Sequence, residues 1–504
     1  MRLIALTQSP FLRWMLPTFA LLFSLAAVAQ KPVQKAKPAA RPPEQKTIAH
    51  PRLERDPVIA QIMKDVSPER IQKTIEKLVS FGTRSTLSVN NPGAATSEKG
   101  IVAARKWIKS EFERYSADCG GCLTVMTDTF IEQSKGPKDR ITQPTEIENV
   151  YAILKGTDPE QSKRIYLVTG HYDSRNSDNA NTTDAAPGAN DDGSGTSVSL
   201  ECARVLSKHR FPATLVFLTV AGEEQGLNGS THFAKMAKAE GWKLEGVLNN
   251  DIVGGNRTPG DTKQNPNWVR VFSEGLPAAS TEAELKAIRA VGGENDSPSR
   301  ELARYIREVG DTFRFGQFTP KLIFRRDRYL RGGDHSAFNE QGFAAVRFTE
   351  YREDFNHQHQ TPRTEKGIEY GDWPKYVDFN YIGNVARLNA ATLASLALGP
   401  PPPAKVKVLT KGLENDSKIE WEAVPGASAY EVLWRKTTDG DFSPENSTRT
   451  TETKVDLDQS KDNVIFAVRS IGPKGHRSLL VIPKPERRAE DAEADQENKP
   501  EPKK

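Results

Sequence analysis

Cysteine is scarce, with three in 504 residues, too few for a disulfide framework. Neither sign of charge is in excess. Seventy Lys and Arg stand against 66 Asp and Glu, a net charge of +4. That near-balance excludes charge-driven binding to nucleic acid or a membrane surface as the default. Apolar residues make up only 37% of the chain, so part of it is expected to stay unpacked. No Gly-x-Ser-x-Gly elbow and no His-Glu-x-x-His pair occurs, which weighs against serine hydrolysis and the zinc sites built on one helix. Beyond the first thirty residues no apolar run is long enough to cross a bilayer.

The one long apolar run, residues 14–28, follows Arg2 and Arg13 and ends in Ala27-Val28-Ala29. This pattern predicts a signal peptide over 1–29, cleaved after Ala29. Pro17 and the short apolar core argue against a membrane anchor, so the mature protein is expected to be secreted or periplasmic, with no stable membrane insertion. In an oxidising compartment, Cys119 and Cys122 are expected to form a local disulfide, because no second cysteine pair exists to complete a zinc knuckle. Cys202 falls in a predicted helix and reads as a buried thiol.

The length predicts two or three domains. Residues 30–56 are rich in Lys, Pro, Ala and Gln and read as a flexible tether. Order is expected from 57. Ser67-Pro68 has the form of an N-cap followed by proline at the first helical position. Ile101, Ala104, Trp107, Ile108 and Phe112 repeat at helical spacing over about 100–115. Short apolar runs at 149–154, 165–169, 214–221, 246–252, 322–325 and 344–349, with a helix at about 195–208, predict an α/β domain with a buried, largely parallel sheet. Residues 254–330 read as an insertion with helices at about 281–291 and 298–309. Four prolines at 400–403 form a stiff linker. Residues 404–483 alternate in strand period between turn residues and predict an all-β sandwich. The last stretch, 485–504, is mostly charge and is expected to be disordered.

Chemistry-bearing residues gather at predicted strand ends. Gly170-His171-Tyr172-Asp173 follows one strand, and Pro187-Gly188-Ala189-Asn190-Asp191-Asp192-Gly193-Ser194-Gly195 opens the next helix. Glu223-Glu224 and Asp251 follow two further strands, and Asn356-His357-Gln358-His359 lies past the last. In parallel sheets, chemistry sits at the carboxyl ends of strands. Each motif alone has an ordinary reading, as a surface pair, a solvated face or a capped turn. The ordered set points to metal, because imidazole and carboxylate together suit Zn²⁺. Two neighbouring metals need a carboxylate between them. Adjacent glutamates let one bind metal while the other takes a proton. Asp173 is placed to accept the second N–H of His171 and fix its tautomer.

Over about residues 65–397 the sequence resembles the zinc aminopeptidases with two co-catalytic metals, a family that includes bacterial leucyl aminopeptidases and glutamate carboxypeptidases. The shared pattern runs His-x-Asp, Pro-Gly-Ala-x-Asp-Asp-x-Ser-Gly, Glu-Glu, Asp and a late His. The resemblance implies a three-layer α/β/α sandwich with a mixed eight-stranded sheet over 57–399. It implies two Zn²⁺, with His171 and Asp251 on one, Glu224 and the late His on the other, and Asp191 bridging. Glu223 is then the general base, Asp173 the second catalytic residue, and the Asp191–Asp192 peptide is cis. Gly332-Gly333-Asp334-His335-Ser336 resembles a Ser-Asp-His element beside the substrate pocket, with Gly333 where serine is usual. Asp334 and His335 become pocket or supporting residues. The family's late ligand usually reads His-Thr-x-x-Asp, which favours His359 if Gln360 is an insertion and leaves His357 as the alternative.

The implied activity is an exported aminopeptidase acting on peptides with a free N-terminus through a hydroxide held by the metals. A glutaminyl cyclase or carboxypeptidase on the same fold is the alternative. A receptor or adhesion protein without catalysis is disfavoured by the full ligand set. Specificity is expected from 254–330 and the residues before Asp334. Residues 400–484 resemble a fibronectin type III domain through Trp421, Tyr430 and Asp462-Asn463, and read as a spacer rather than a binding module.

Overall fold

The computed structural model describes residues 56–486 except 315 and 413. The expected signal peptide and most of the tether and tail lie outside the described residues. Among these no helix is long and apolar enough to cross a membrane.

Eight strands make the central sheet: β1 (Leu123–Glu132), β2 (Thr145–Leu154), β3 (Arg164–His171), β4 (Thr214–Val220), β5 (Lys243–Asn250), β6 (Trp268–Ser273), β7 (Thr319–Ile323) and β8 (Ala345–Glu350). Their order is β1-β2-β4-β3-β5-β8-β6-β7. The inner strands β4, β3, β5 and β8 run parallel, as do β6 and β7, while the β1–β2, β2–β4 and β6–β8 pairs are antiparallel. The sheet is thus mixed rather than largely parallel. Residues 254–330 are not an insertion: β6 and β7 complete the sheet's edge, and the two expected helices lie between them.

Side chains alternate across the sheet at the two-residue period of a strand. Tyr166, Val168, Leu215 and Phe217 face one core. Leu167, Val216, Leu218 and Val247 face another. Helices α1 (Pro57–Asp65), α2 (Pro68–Ser80), α3 (Gly100–Asp118), α4 (Gly193–Leu206), α7 (Pro298–Phe313) and α9 (Phe379–Leu398) cover the first face, and α5 (Asn228–Ala239) with the short α8 (His335–Glu340) covers the second. The remaining helix between β6 and β8, first of the three in the chain, is α6 (Glu282–Ala290). These are the three layers of an α/β/α sandwich.

Two glycines set the closest approach. A Cβ on Gly170 would lie 2.4 Å from the Gly195 carbonyl carbon, and one on Gly195 would lie 2.0 Å from the Asn250 oxygen. With no side chain at either position, the start of α4 rests on the ends of β3 and β5, so the loop before α4 arrives beside both strand ends. Thirteen residues of α4 are buried, Ser194 and Ser199 among them, and each serine hydroxyl donates to a backbone carbonyl. Cys119 and Cys122 form a disulfide between α3 and β1, and Cys202 is a buried free thiol in α4.

After Pro400–403 two further sheets follow. One has four strands, Lys454–Leu457, Ser417–Glu420, Lys407–Val408 and Lys484–Pro485 in order. The other has three, Ser447–Thr450, Ala429–Lys436 and Val464–Ile471. They share a core that includes Ile419, Trp421, Tyr430, Val432, Val455 and Phe466. This unit is docked rather than spaced away. Arg435 pairs with Asp296 at 2.6 Å, Arg469 with Glu308 at 2.5 Å, and Arg304 donates to the Gly440 carbonyl at 2.6 Å. Asp296, Arg304 and Glu308 belong to α7 or the turn before it, and Arg435 and Asp296 are each almost wholly buried.

Candidate active site

Each inner strand delivers its chemistry at its carboxyl end. His171 closes β3, Asp251 follows β5, Glu223 and Glu224 follow β4, and the loop after β8 brings His359. Ile252 takes a left-handed φ of 60°, rare for a β-branched residue. It turns the chain out of β5 just after Asp251. The turn is pinned by the Ile252 N–H on Asp192 at 3.2 Å and by the Glu350 N–H on the Ile252 carbonyl at 2.7 Å.

Asp191 lies at the centre. Its Oδ1 is 3.1 Å from His171 Nε2, and its Oδ2 is 2.7 Å from His359 Nε2. His359 Nε2 is also 2.9 Å from Glu224 Oε1, and His171 Nε2 is 4.0 Å from Asp251 Oδ1. Two groups able to hold a metal ion therefore share one carboxylate: His171, Asp191 and Asp251 form one, and Asp191, Glu224 and His359 the other. The donors suit a divalent ion. His171 Nε2 and Glu224 Oε1 are buried and face only other members of the two groups, a costly state for polar atoms unless a ligand lies between them. Imidazole nitrogen with carboxylate oxygen is the donor set of zinc.

Asp173 holds the other side of His171. The imidazole Nδ1 faces the Asp173 carbonyl at 3.1 Å and its carboxylate at 3.3 Å. The Asp173 carboxylate also accepts from Thr86 Oγ1 and the Glu224 N–H. Glu223 is beside the two groups and in neither. Burial, with the carboxylates of Asp251, Glu224 and Asp334, pushes its carboxyl well above the usual range, against the pull of His171. Burial would lower the His359 pKa, yet Glu224 and Asp191 raise it to about 10. The pair therefore carries a strong demand for positive charge.

His357 is elsewhere. Its ring stacks on Tyr376 with centroids 3.5 Å apart and its Nδ1 pairs with Asp354. It joins neither metal group, so His359 stands alone as the late candidate. Burial raises the Asp334 carboxyl to about 7. His335 Nε2 lies 2.8 Å from the Arg326 carbonyl, and burial holds its pKa down to about 4, so it stays neutral and donates there. The Asp191–Asp192 peptide is cis.

The sequence profile of peptidase family M28 matches residues 149–370. A probable zinc metalloprotease of Pyrenophora tritici-repentis is 44% identical over 435 residues, covering 85% of this chain and 87% of that protein. The chain belongs to peptidase family M28. A second probable zinc metalloprotease, from Pyricularia oryzae, is 44% identical over 431 residues, 84% of this chain and 83% of that protein. Among solved structures, the LapA aminopeptidase of Legionella pneumophila is 20% identical with a TM-score of 0.47, covering 70% of this chain and 78% of that one. A Fimbriiglobus ruber glutaminyl cyclase is 19% identical with a TM-score of 0.44, covering 70% and 99%.

Several residues that build the site of this M28 peptidase carry no sequence motif. Asp372 accepts the N–H of Asp191 at 2.7 Å and that of Asn190 at 2.9 Å, fixing the loop that carries the shared carboxylate. Burial raises its own carboxyl to about 7. Gln358 donates to Asp191 Oδ2 at 3.0 Å. Arg84, fully buried, donates to the carbonyls of Tyr172, Pro187 and Gly188 at 2.7–2.8 Å and so ties the His171 loop to the Asp191 loop. Arg347 pairs with Asp251 at 2.8 Å, and Arg175 with Glu224 at 2.8 Å. Arg347 alone had a readable signal. A charge inside the apolar run Ala344-Ala345-Val346-Arg347-Phe348 requires a buried partner.

Proposed function

We propose that this M28 peptidase is an exported aminopeptidase that uses two zinc ions to remove N-terminal residues from peptides. The observation that carries the reading is Asp191, whose two oxygens face the histidines of two separate ligand groups. His171, Asp191 and Asp251 would hold one ion, and Asp191, Glu224 and His359 the other. When bound, such a pair polarises the scissile carbonyl and makes water a nucleophile at neutral pH.

The protein's own groups do the rest. Glu223, held near the ligands but outside both groups, takes a proton from the attacking water and returns it to the leaving amine nitrogen. A carboxyl with a raised pKa suits that exchange, since it must hold the proton between two steps. Asp173 keeps the His171 proton on Nδ1, so that Nε2 points its lone pair inward. Carboxylates gathered around the site favour the α-ammonium of a free N-terminus.

The test is hydrolysis of aminoacyl-4-nitroanilides by full-length protein, before and after chelation and with measured zinc content. Restored cleavage at close to two ions per chain supports the reading. Absence of cleavage at full zinc content refutes it. The second reading, a glutaminyl cyclase, predicts one ion per chain and ring closure of N-terminal glutamine, and the shared Asp191 speaks against it. The signal-like N-terminus supports export, which fractionation of the expressing cell tests. We read the C-terminal sheets as fibronectin type III-like.

A further inference from the structure

The two ligand histidines face opposite surroundings. Behind His171, Nδ1 meets acceptors, the Asp173 carbonyl at 3.1 Å and carboxylate at 3.3 Å. Behind His359, Nδ1 meets a donor, the Nη2 of Arg175. The same guanidinium donates through Nε to Glu224 Oε2 at 2.8 Å. Arg175 therefore touches both residues that only the second ligand group contributes. A guanidinium has five donors and no acceptor. An imidazole that gives Nε2 to a cation keeps its proton on Nδ1, so coordination by His359 sets one N–H against another. A dication entering beside a fixed positive charge is also opposed directly.

Arg347 makes the nearest comparison. It pairs with Asp251 at 2.8 Å, but it is fully buried and shares its charge with Asp327 at 3.3 Å. Arg175 keeps 16% of its side chain exposed, which leaves it room to swing away.

We propose that Arg175 is a built-in counter-cation for the Glu224–His359 position: it sits against both residues and lowers their affinity for a divalent ion relative to the His171–Asp251 position. Filling the second position then requires the guanidinium to leave His359 Nδ1. That position becomes the exchangeable one, so its occupancy follows the free zinc concentration. The inference rests on the two-ion reading above, and it deepens that reading by assigning a tuning role to a residue outside both ligand groups.

Calorimetric titration of the chelator-stripped full-length protein with Zn²⁺ tests it, with Co²⁺ absorption as a second readout of each site. The wild type should bind in two steps of unequal affinity. Arg175→Gln should tighten the weaker step by roughly 10–100-fold, the usual scale for partners just outside the ligands, and leave the tighter step unchanged. Arg175→Lys keeps the charge but loses the planar fork, and should tighten the weaker step by less. A weaker step that is unchanged or loosened in Arg175→Gln, or a single ion per chain in both proteins, overturns the proposal. Two-step binding that responds to Arg175, in a protein that cleaves no aminoacyl amide, would uphold the proposal and sink the peptidase reading instead.

Discussion

Gly333 carries the sharpest steric prediction. Serine is usual at this place in the resembling family, yet a Cβ here would lie 2.4 Å from Arg347 Nη1 and 3.2 Å from Asp251 Oδ2. Ordinary carbon–nitrogen contact is about 3.5 Å, an overlap of roughly 1 Å. Arg347 cannot retreat into solvent. It is fully buried, and it is held by Asp251 at 2.8 Å, Asp327 at 3.3 Å and the Gly332 carbonyl at 2.9 Å. Gly333→Ala must therefore overpack the site, at about 1–3 kcal/mol, or displace the guanidinium and strand a buried charge, at about 3–5 kcal/mol. We expect a loss of about 3 kcal/mol in the urea unfolding free energy of the metal-free protein. Gly332→Ala is the control, because its Cβ would meet nothing closer than Ser336 Oγ at 3.9 Å, and it should stay within about 0.5 kcal/mol of wild type. If Gly333→Ala costs no more than Gly332→Ala, Arg347 does not fill the space that serine takes in relatives, and the reasoning fails.

Glu223→Gln should lower the rate of aminoacyl amide hydrolysis by about 10²–10⁴-fold with zinc content and unfolding midpoint unchanged, and a smaller loss would remove it as the base. Burial holds the Glu350 carboxyl up at about 8, so the folded protein keeps a proton there that the unfolded chain gives up near pH 4.5. The stability from Glu350 is full below that pH and is lost as pH rises through 8. Glu350→Gln should therefore flatten the fall in unfolding free energy between pH 5 and 8, and an unchanged slope would count against a protonated Glu350. Asp296→Ala strands Arg435 and one bond of Arg304. It should cost about 3–5 kcal/mol and speed proteolysis after residue 400, whereas a protease map identical to wild type would mean that the docking does not depend on these pairs.

What the sequence made legible follows from where physics leaves a pattern. His171, Glu223, Glu224 and Asp251 could be placed because each ends or follows a short apolar run that is easy to see, and Asp191 because its Gly- and Asp-rich turn opens a helix. The α9 helix escaped because Phe379–Leu398 is buried along most of its length and shows no polar face to mark a helical period. Strand β1 has one side in solvent along most of its length, and its mixed composition hid it. The residues after His359 favour it over His357, while its positive φ of 56° is a backbone feature that the spacing of the two histidines does not show. Nothing in the sequence marks Arg84, Arg175 or Asp372, because only the folded chain shows what they touch.

Asp372 has a consequence for the timing of activity. The residue that fixes the backbone of Asp191 lies 181 positions further along the chain, and His359 is almost as distant from its partners. Contacts of such long sequence separation form late. A nascent chain shorter than this has the β3 and β4 motifs but neither the second histidine nor the clamp on the shared carboxylate. On the proposed two-ion reading such a chain lacks the second ligand group and should not cleave peptide bonds during synthesis. On that reading completion of the fold is itself the activation step.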